Sequence, residues 1–128
     1  MAYRLAFDRE PAYLHVKVTG DNSPESVHGY MEDVQRECSR AGIAGILIEE
    51  NLRGPSISLA DVFVVVSEGS RKMPPGLRKI AYVDLNREHD LSLMRFAETV
   101  AVNRGVNVRL CRSVEEAKEW LLEEGAGP

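Results

Sequence analysis

The chain has 128 residues, of which 44% are hydrophobic, and its formal net charge is −4. This length is typical of one domain and is sufficient to bury a core. The negative charge argues against a nucleic-acid partner, because binding a phosphate backbone requires a basic face. No apolar run approaches the ~20 residues that cross a membrane, and the first residues lack the blocks of an export signal. We therefore predict a single cytoplasmic domain over residues 1–128, without a membrane span.

Two strands and a helix are predicted in the first third of the chain. Residues 3–8 and 13–18 alternate between apolar and polar, which predicts an antiparallel pair of strands. Residues 21–26 then offer helix-cap residues, and the proline among them suits a first helical turn. Gly42 ends this helix. Its apolar positions recur at intervals of three and four residues, and they are Val27, Tyr30, Met31, Val34, Cys38 and Ala41.

The middle of the chain predicts a buried strand followed by an unusually apolar helix. The strand covers residues 45–50, and a Gly-Pro-Ser turn connects it to a helix at about residues 58–69. Ser58 can cap that helix, and Asp61 suits its first turn. Residues 62–66 are all β-branched or aromatic, so a strand is the alternative there. The cap and the parallel-sheet context favour the helix.

The last third of the chain continues the alternation of strands and helices. Strands are predicted at residues 79–83 and 106–110, with a helix at about residues 88–103 between them. Ser113 and Glu116 form a capping box that opens a final helix. The order is therefore ββαβαβαβα. It predicts an α/β fold with a mixed sheet of about five strands, the first antiparallel and the rest mainly parallel, and about four helices.

Several segments of the sequence resemble a known family. The segments that carry the resemblance are residues 13–20, residues 80–83, and the ending made of residues 96–98, 103–105 and 113–121. They are similar to the STAS domain superfamily, particularly its SpoIIAA-like members, which are related to the lipid-binding CRAL-TRIO fold. The resemblance covers nearly the whole chain and implies a single SpoIIAA-like STAS domain.

The resemblance also implies a place for regulation. In anti-anti-sigma factors of this family, a serine in an Asp-Ser-Ser-Gly turn after the third strand is phosphorylated to control binding to a kinase partner. Residues 49–54 read Glu-Glu-Asn-Leu-Arg-Gly here, so that phosphorylation site cannot be carried over. Ser56 and Ser58 follow near the positive end of the second helix, where a phosphate is favoured. Alternatively, Ser58 only caps the helix and Ser56 only shapes the turn. The candidate phosphate or ligand site is Glu50, Asn51, Arg53, Ser56 and Ser58.

Glu49 and Glu50 are the adjacent carboxylates at the end of a predicted strand. Neighbours on a strand point to opposite faces, so the two do not form an acid–base couple on one substrate. We expect one of them to be solvated and the other to pair with Arg53 on the surface.

Metal, cofactor and disulfide sites are not predicted. The three histidines, His15, His28 and His89, fall on separate elements without the short spacing of a metal site. Cys38 and Cys111 are far apart, which favours two reduced core thiols. No phosphate loop, nucleophile elbow or cofactor motif is present.

Three functions remain open. The first is a non-enzymatic regulatory or binding module that acts through an unknown protein partner or by sensing a small apolar or anionic ligand. The second is a carrier of a lipid or another hydrophobic ligand, with a cavity of several hundred Å³ between the apolar second helix and the third helix. Val62, Phe63 and Val66 are the candidate residues for that pocket, or for a partner surface or a homo-oligomer contact. The third is an enzyme that uses Glu49, Glu50 or His89, which a perturbed carboxylate in a cleft would favour.

Overall fold

The computed structural model describes residues 3–123. Its elements in chain order are β1 (Tyr3–Arg9), β2 (Leu14–Asp21), α1 (Pro24–Ala41), β3 (Gly45–Arg53), α2 (Leu59–Arg71), β4 (Lys79–Asp84), α3 (Leu91–Asn103), β5 (Val108–Leu110) and α4 (Val114–Leu122). The strands form one sheet in the order β1-β2-β3-β4-β5. β1 is antiparallel to β2, and the other neighbouring strands are parallel. The predicted element order and mixed topology are confirmed.

Both faces of the sheet are covered, which explains why β3 reads as a continuous apolar run. On one face, α1 and residues of the α2–α3 layer pack over side chains such as Val16 and Ile46. On the other face, α4 packs over Leu47 and Ala81. Cys38 and Cys111 are buried and free, one in each of these two layers. The sheet separates the two thiols, as expected for core cysteines.

The apolar run at residues 62–66 is helical rather than extended, as predicted. Val62 and Val65 face inward and are buried, whereas Phe63 and Val64 are 45% and 53% exposed. One side of this run therefore packs in the core, and the other side lies at the surface. Among the helices of residues 3–123, none has both the length and the apolar character that crossing a membrane requires.

β3 extends three residues further than residues 45–50. It stays paired with β2 as far as the register position Asp21↔Arg53. Glu50 consequently lies inside the strand, with its backbone in the ladder. The sequence did not indicate this extension, because the length of a strand depends on its neighbours as well as on its own apolar pattern.

α3 begins later than predicted, and β5 is shorter. The predicted start at residue 88 is wrong because Asp90 is the N-cap, and its side chain accepts a hydrogen bond from the Ser92 N–H at 2.9 Å. Residues 85–90 form a loop instead. β5 is limited to Val108–Leu110, since it is an edge strand that pairs with β4 at three positions only.

Candidate functional site

Glu50 is a buried carboxyl on the face of β3 that α1 covers. Its exposure is 4%. The carboxyl accepts a hydrogen bond from the Tyr30 hydroxyl of α1, and the Tyr82 hydroxyl of β4 lies beside it. Burial raises the pKa of Glu50 to about 7, although the two tyrosine hydroxyls act to lower it. Burial also raises the pKa of both tyrosines, so their hydroxyls remain donors. Glu50 can therefore exchange a proton near neutral pH.

A histidine–aspartate pair lies beside Glu50, where β4 ends. His89 Nδ1 is 2.6 Å from Asp84 Oδ2, and the two side chains are only 3% and 7% exposed. His89 Nε2 lies 3.0 Å from the carbonyl oxygen of Gly54. The side-chain nitrogens of Asn86 and Asn22 also lie 3.2 and 3.3 Å from His89 Nε2. The ring is thereby held at both nitrogens, and its orientation is fixed.

Two asparagines connect the loops around this pair. Asn86 follows β4, and its side-chain amide donates to the carbonyl oxygen of Leu52 at 2.7 Å. Asn22 follows β2, and its amide donates to the carbonyl oxygen of Pro55 at 2.8 Å. Both bonds reach the end of β3 and the segment after it. The carboxyl ends of three neighbouring parallel strands are thus joined, at the edge where ligands bind in open α/β sheets.

A cavity of about 140 Å³ lies between the sheet and the helices α1, α2 and α3, with Glu50 at its polar end. An engineered cavity of similar volume, about 150 Å³, holds one benzene molecule. The remaining polar lining comes from Asn22, Tyr30, Ser56, Tyr82, Asp84, His89 and Glu98. The apolar lining comes from Val27, Met31, Ile57, Val62, Val65, Val66, Leu93, Met94, Ala97, Ala101, Val108 and Leu110. The cavity is mostly apolar, and Tyr30, Tyr82, Asp84 and His89 lie close to Glu50.

Three possible cation ligands meet at this polar end. One donor atom each from Glu50, Asp84 and His89 lies within 4.8 Å of the other two. Carboxylate and imidazole are ligands that several divalent metals accept. The spacing among the three histidines predicts no metal site. This group instead combines one histidine with two carboxyls from different elements.

The fold divides the predicted phosphate or ligand site. Glu50 and Ser56 line the cavity, and the Ser56 hydroxyl accepts a hydrogen bond from the backbone N–H of Asp90 at 2.9 Å. The side chains of Asn51 and Arg53 are exposed and do not line it. The fifth candidate, Ser58, caps α2. The candidates therefore do not converge on one pocket.

The predicted apolar pocket residues are divided in the same way. Val62 and Val66 line the cavity, whereas Phe63 lies outside it. The Phe63 ring is near the Arg104 guanidinium, whose carbon is 5.2 Å from the ring centroid. The cavity is also smaller than the several hundred Å³ predicted for a carrier.

The two adjacent glutamates do face opposite sides of the sheet, but neither pairs with Arg53. Glu49 Oε1 lies 2.9 Å from His15 Nε2, and Glu50 contacts the tyrosines on the other face. Arg53 instead contacts Asp21 at 3.2 Å. The predicted ion pair is wrong because Asp21 is the register partner of Arg53 across β2 and β3.

Sequence reasoning missed Tyr30, Tyr82 and Asp84 as site residues. Tyr30 occupies an inward position of α1 and reads as an ordinary core residue. A signal was present in β4, where Tyr82 and Asp84 share one face at the carboxyl end of a predicted parallel strand. Polar residues in that position indicate a ligand site.

We expect Ser58→Ala to lower the free energy of unfolding by about 1 kcal/mol, the usual contribution of a serine cap. The Ser58 hydroxyl accepts a hydrogen bond from the Asp61 N–H at 3.1 Å, and alanine removes that acceptor. Ser58→Asp is the matched control, since aspartate also caps helices and adds a negative charge at the positive helix end. Urea denaturation measures both variants. Equal stability of Ser58→Ala and the unaltered protein would show that the cap contributes nothing.

No protein-family model matches the sequence, and no curated protein matches it. Two solved structures are similar to the fold. An anti-sigma factor antagonist from Mycobacterium paratuberculosis has a TM-score of 0.62 at 9% identity, over 94% of this chain and 95% of that one. An uncharacterised protein with a SpoIIAA-like fold from Shewanella loihica has a TM-score of 0.55 at 15% identity, over 94% of each chain. The predicted SpoIIAA-like fold is therefore confirmed for this chain.

Proposed function

We propose that the protein is a non-enzymatic regulatory module that senses a small, mainly apolar ligand and transmits its presence through protein contacts. The observation that carries the proposal is the cavity of about 140 Å³ with Glu50 at one end. Apolar walls with a few convergent polar groups are typical of small-molecule sites.

The size of the cavity favours a sensor over a lipid carrier. Drug-sized ligands occupy pockets of about 300–1,000 Å³, and this cavity is smaller than that range. A molecule of about one aromatic ring fits such a volume. A long acyl chain requires more room than the space between α2 and α3 provides.

The α2 helix supplies a route from the cavity to the surface. Val62 and Val66 line the cavity, while Leu59, Phe63 and Val64 on the same helix are exposed. Because packed helices move as units, a ligand that displaces the inner side of α2 also displaces its outer side. Exposed apolar side chains suit a protein partner or a second copy of the chain. One protein of this fold is an anti-sigma factor antagonist, and that likeness supports a protein partner here as well.

The charges around the cavity argue against an anionic ligand. Glu50, Asp84 and Glu98 line the cavity, and within the described chain no lysine or arginine does. An anion placed there would meet carboxyls in a site of low dielectric constant, where repulsion between like charges is strong. We therefore expect a neutral or cationic ligand in place of the anionic one that the sequence left open.

Filling the cavity should weaken ligand binding. We expect Ala97→Leu to weaken the binding of one-ring probes such as toluene and benzyl alcohol at least about tenfold, because the added carbons occupy the space that the probe needs. Ala97 lines the cavity from α3. Thr99→Leu adds a leucine at an exposed position of the same helix and should leave the affinity unchanged. Isothermal titration and thermal shift measure the binding.

Two outcomes would contradict the proposal. If the unaltered protein binds no one-ring probe, the cavity is not a ligand site. If Ala97→Leu and Thr99→Leu weaken binding equally, the probes bind elsewhere.

Mass spectrometry of the recovered probe should show an unchanged mass. A chemically altered probe would instead favour an acid–base enzyme, for which a carboxyl with a pKa of about 7 is suited.

A further inference from the structure

Glu50 is the fully buried member of the three carboxyl residues that line the cavity, and its hydrogen bonds come from neutral tyrosine hydroxyls. Asp84 is paired with His89 at 2.6 Å. Glu98 accepts a hydrogen bond from the backbone N–H of Leu110 at 2.7 Å. Glu50 has tyrosine hydroxyls beside it, which are neutral donors. A buried carboxylate is stabilised much more by a positive charge than by neutral donors.

From the cavity and the arrangement of groups at its polar end, we propose that the ligand is a small organic ammonium compound whose charged nitrogen pairs with Glu50. This inference rests on the proposed function, since it identifies the chemical class that the same cavity binds. An ammonium group places up to three N–H donors among the carboxyl and hydroxyl oxygens. Its apolar part then occupies the space between α2 and α3.

A bare divalent metal ion is the alternative cation, and the geometry disfavours it. Two ligands of one tetrahedral zinc ion lie roughly 3.3 Å apart, given metal–nitrogen bonds of about 2.0 Å. His89 Nδ1 and Asp84 Oδ2 are only 2.6 Å apart, the distance of a direct hydrogen bond. Most of the cavity wall is apolar, so few groups are available to hold the waters that would complete a metal's coordination. An organic cation contacts both the carboxyl group of Glu50 and the apolar walls, whereas a metal ion contacts only the polar groups.

The test compares three ring compounds of similar size that differ in charge: benzylamine, benzyl alcohol and benzoate. We expect benzylamine to bind at least about tenfold more tightly than benzyl alcohol, as charge-assisted hydrogen bonds are stronger than neutral ones. Benzoate should bind most weakly of the three. Glu50→Gln should reduce benzylamine affinity at least about tenfold, to that of the alcohol or below it, because a buried ammonium group without a carboxylate partner is costly. Glu49→Gln is the matched control, because Glu49 points to the opposite face of the sheet and pairs with His15.

A second readout uses the unaltered protein and does not depend on any variant. Benzylamine pairs with the ionised form of Glu50, so its affinity should rise about tenfold per pH unit below the pKa of about 7 and then level off. The titratable groups that face Glu50 are Tyr30 of α1, Tyr82 and Asp84 of β4, and His89 of the following loop. Benzyl alcohol should show no such rise, and it therefore corrects for any pH effect of these neighbours on the cavity itself.

The outcomes separate this inference from the proposed function. Equal affinity for benzylamine and benzyl alcohol, unchanged by Glu50→Gln, would overturn the ammonium inference while leaving a ligand cavity in place. Absence of binding by all three compounds would overturn both. Stabilisation by zinc or manganese ions that requires His89, without any response to benzylamine, would replace the inference with a metal site.

Discussion

We expect Glu50→Gln to stabilise the protein at pH 8 relative to pH 4.5. The free energy of unfolding of the variant minus that of the unaltered protein should be roughly 3 kcal/mol larger at pH 8 than at pH 4.5. Burial raises the pKa of Glu50 from 4.5 to about 7. Between these two values the folded state holds a proton that the unfolded chain has released, so the stability of the unaltered protein falls as pH rises through this window. Glutamine carries no ionisable proton and remains neutral throughout. Its side-chain oxygen can still accept a hydrogen bond from the Tyr30 hydroxyl.

Urea denaturation at several pH values between 4 and 9 measures this difference directly. The Glu119→Gln variant removes a carboxyl from an exposed position of α4 and so controls for the change in net charge. If the stabilities of Glu50→Gln and the unaltered protein run parallel across the whole pH range, Glu50 does not take up a proton on folding. The burial argument, and the proton exchange inferred from it, would then be wrong.

The fold could be predicted from the sequence because its signals are local. Alternation in β2, the serine caps at Ser23, Ser58 and Ser113, and the glycine after α1 each depend on residues within a few positions of one another. Gly42 illustrates this, since it ends α1 with a φ of 65° that glycine adopts without strain. The order of such local elements then fixes the sheet topology through the right-handed crossover rule.

The site could be predicted only in part because its environment is assembled from distant segments. Glu50 was identified as a candidate from its position near the end of a parallel strand. Its burial depends on Tyr30, which is 20 residues earlier in the chain, and on Tyr82 of the next strand. An apolar pattern marks Tyr30 as inward but does not say what its hydroxyl contacts. Which residues share a cavity is set by the packing of α1, α2 and α3 on the sheet, and no single segment encodes it.

An exposed ion pair and a buried aspartate–histidine hydrogen bond lie at the same sheet edge, and they should respond very differently to truncation. We expect Asp84→Ala to lower the free energy of unfolding by about 2–6 kcal/mol, because two donors lose their acceptor and each unsatisfied buried donor costs about 1–3 kcal/mol. Asp84 accepts hydrogen bonds from the Asn86 backbone N–H at 2.9 Å and contacts His89 Nδ1 at 2.6 Å. Alanine leaves both groups without this acceptor in a site that water scarcely reaches, because the His89 side chain is only 3% exposed.

Asp21→Ala is the matched control, since Asp21 also ends a parallel strand and contacts a basic side chain, that of Arg53. Its partner Arg53 is 78% exposed and Asp21 itself is 64% exposed, so this pair should contribute less than about 1 kcal/mol. The double variant Asp84→Ala with His89→Ala should be destabilised much less than the sum of the two single changes, because each already breaks the same contact. Additive effects in chemical denaturation would mean that the two side chains act independently. The fixed orientation of His89 beside Glu50 would then have to come from the Gly54 carbonyl and the surrounding loops alone.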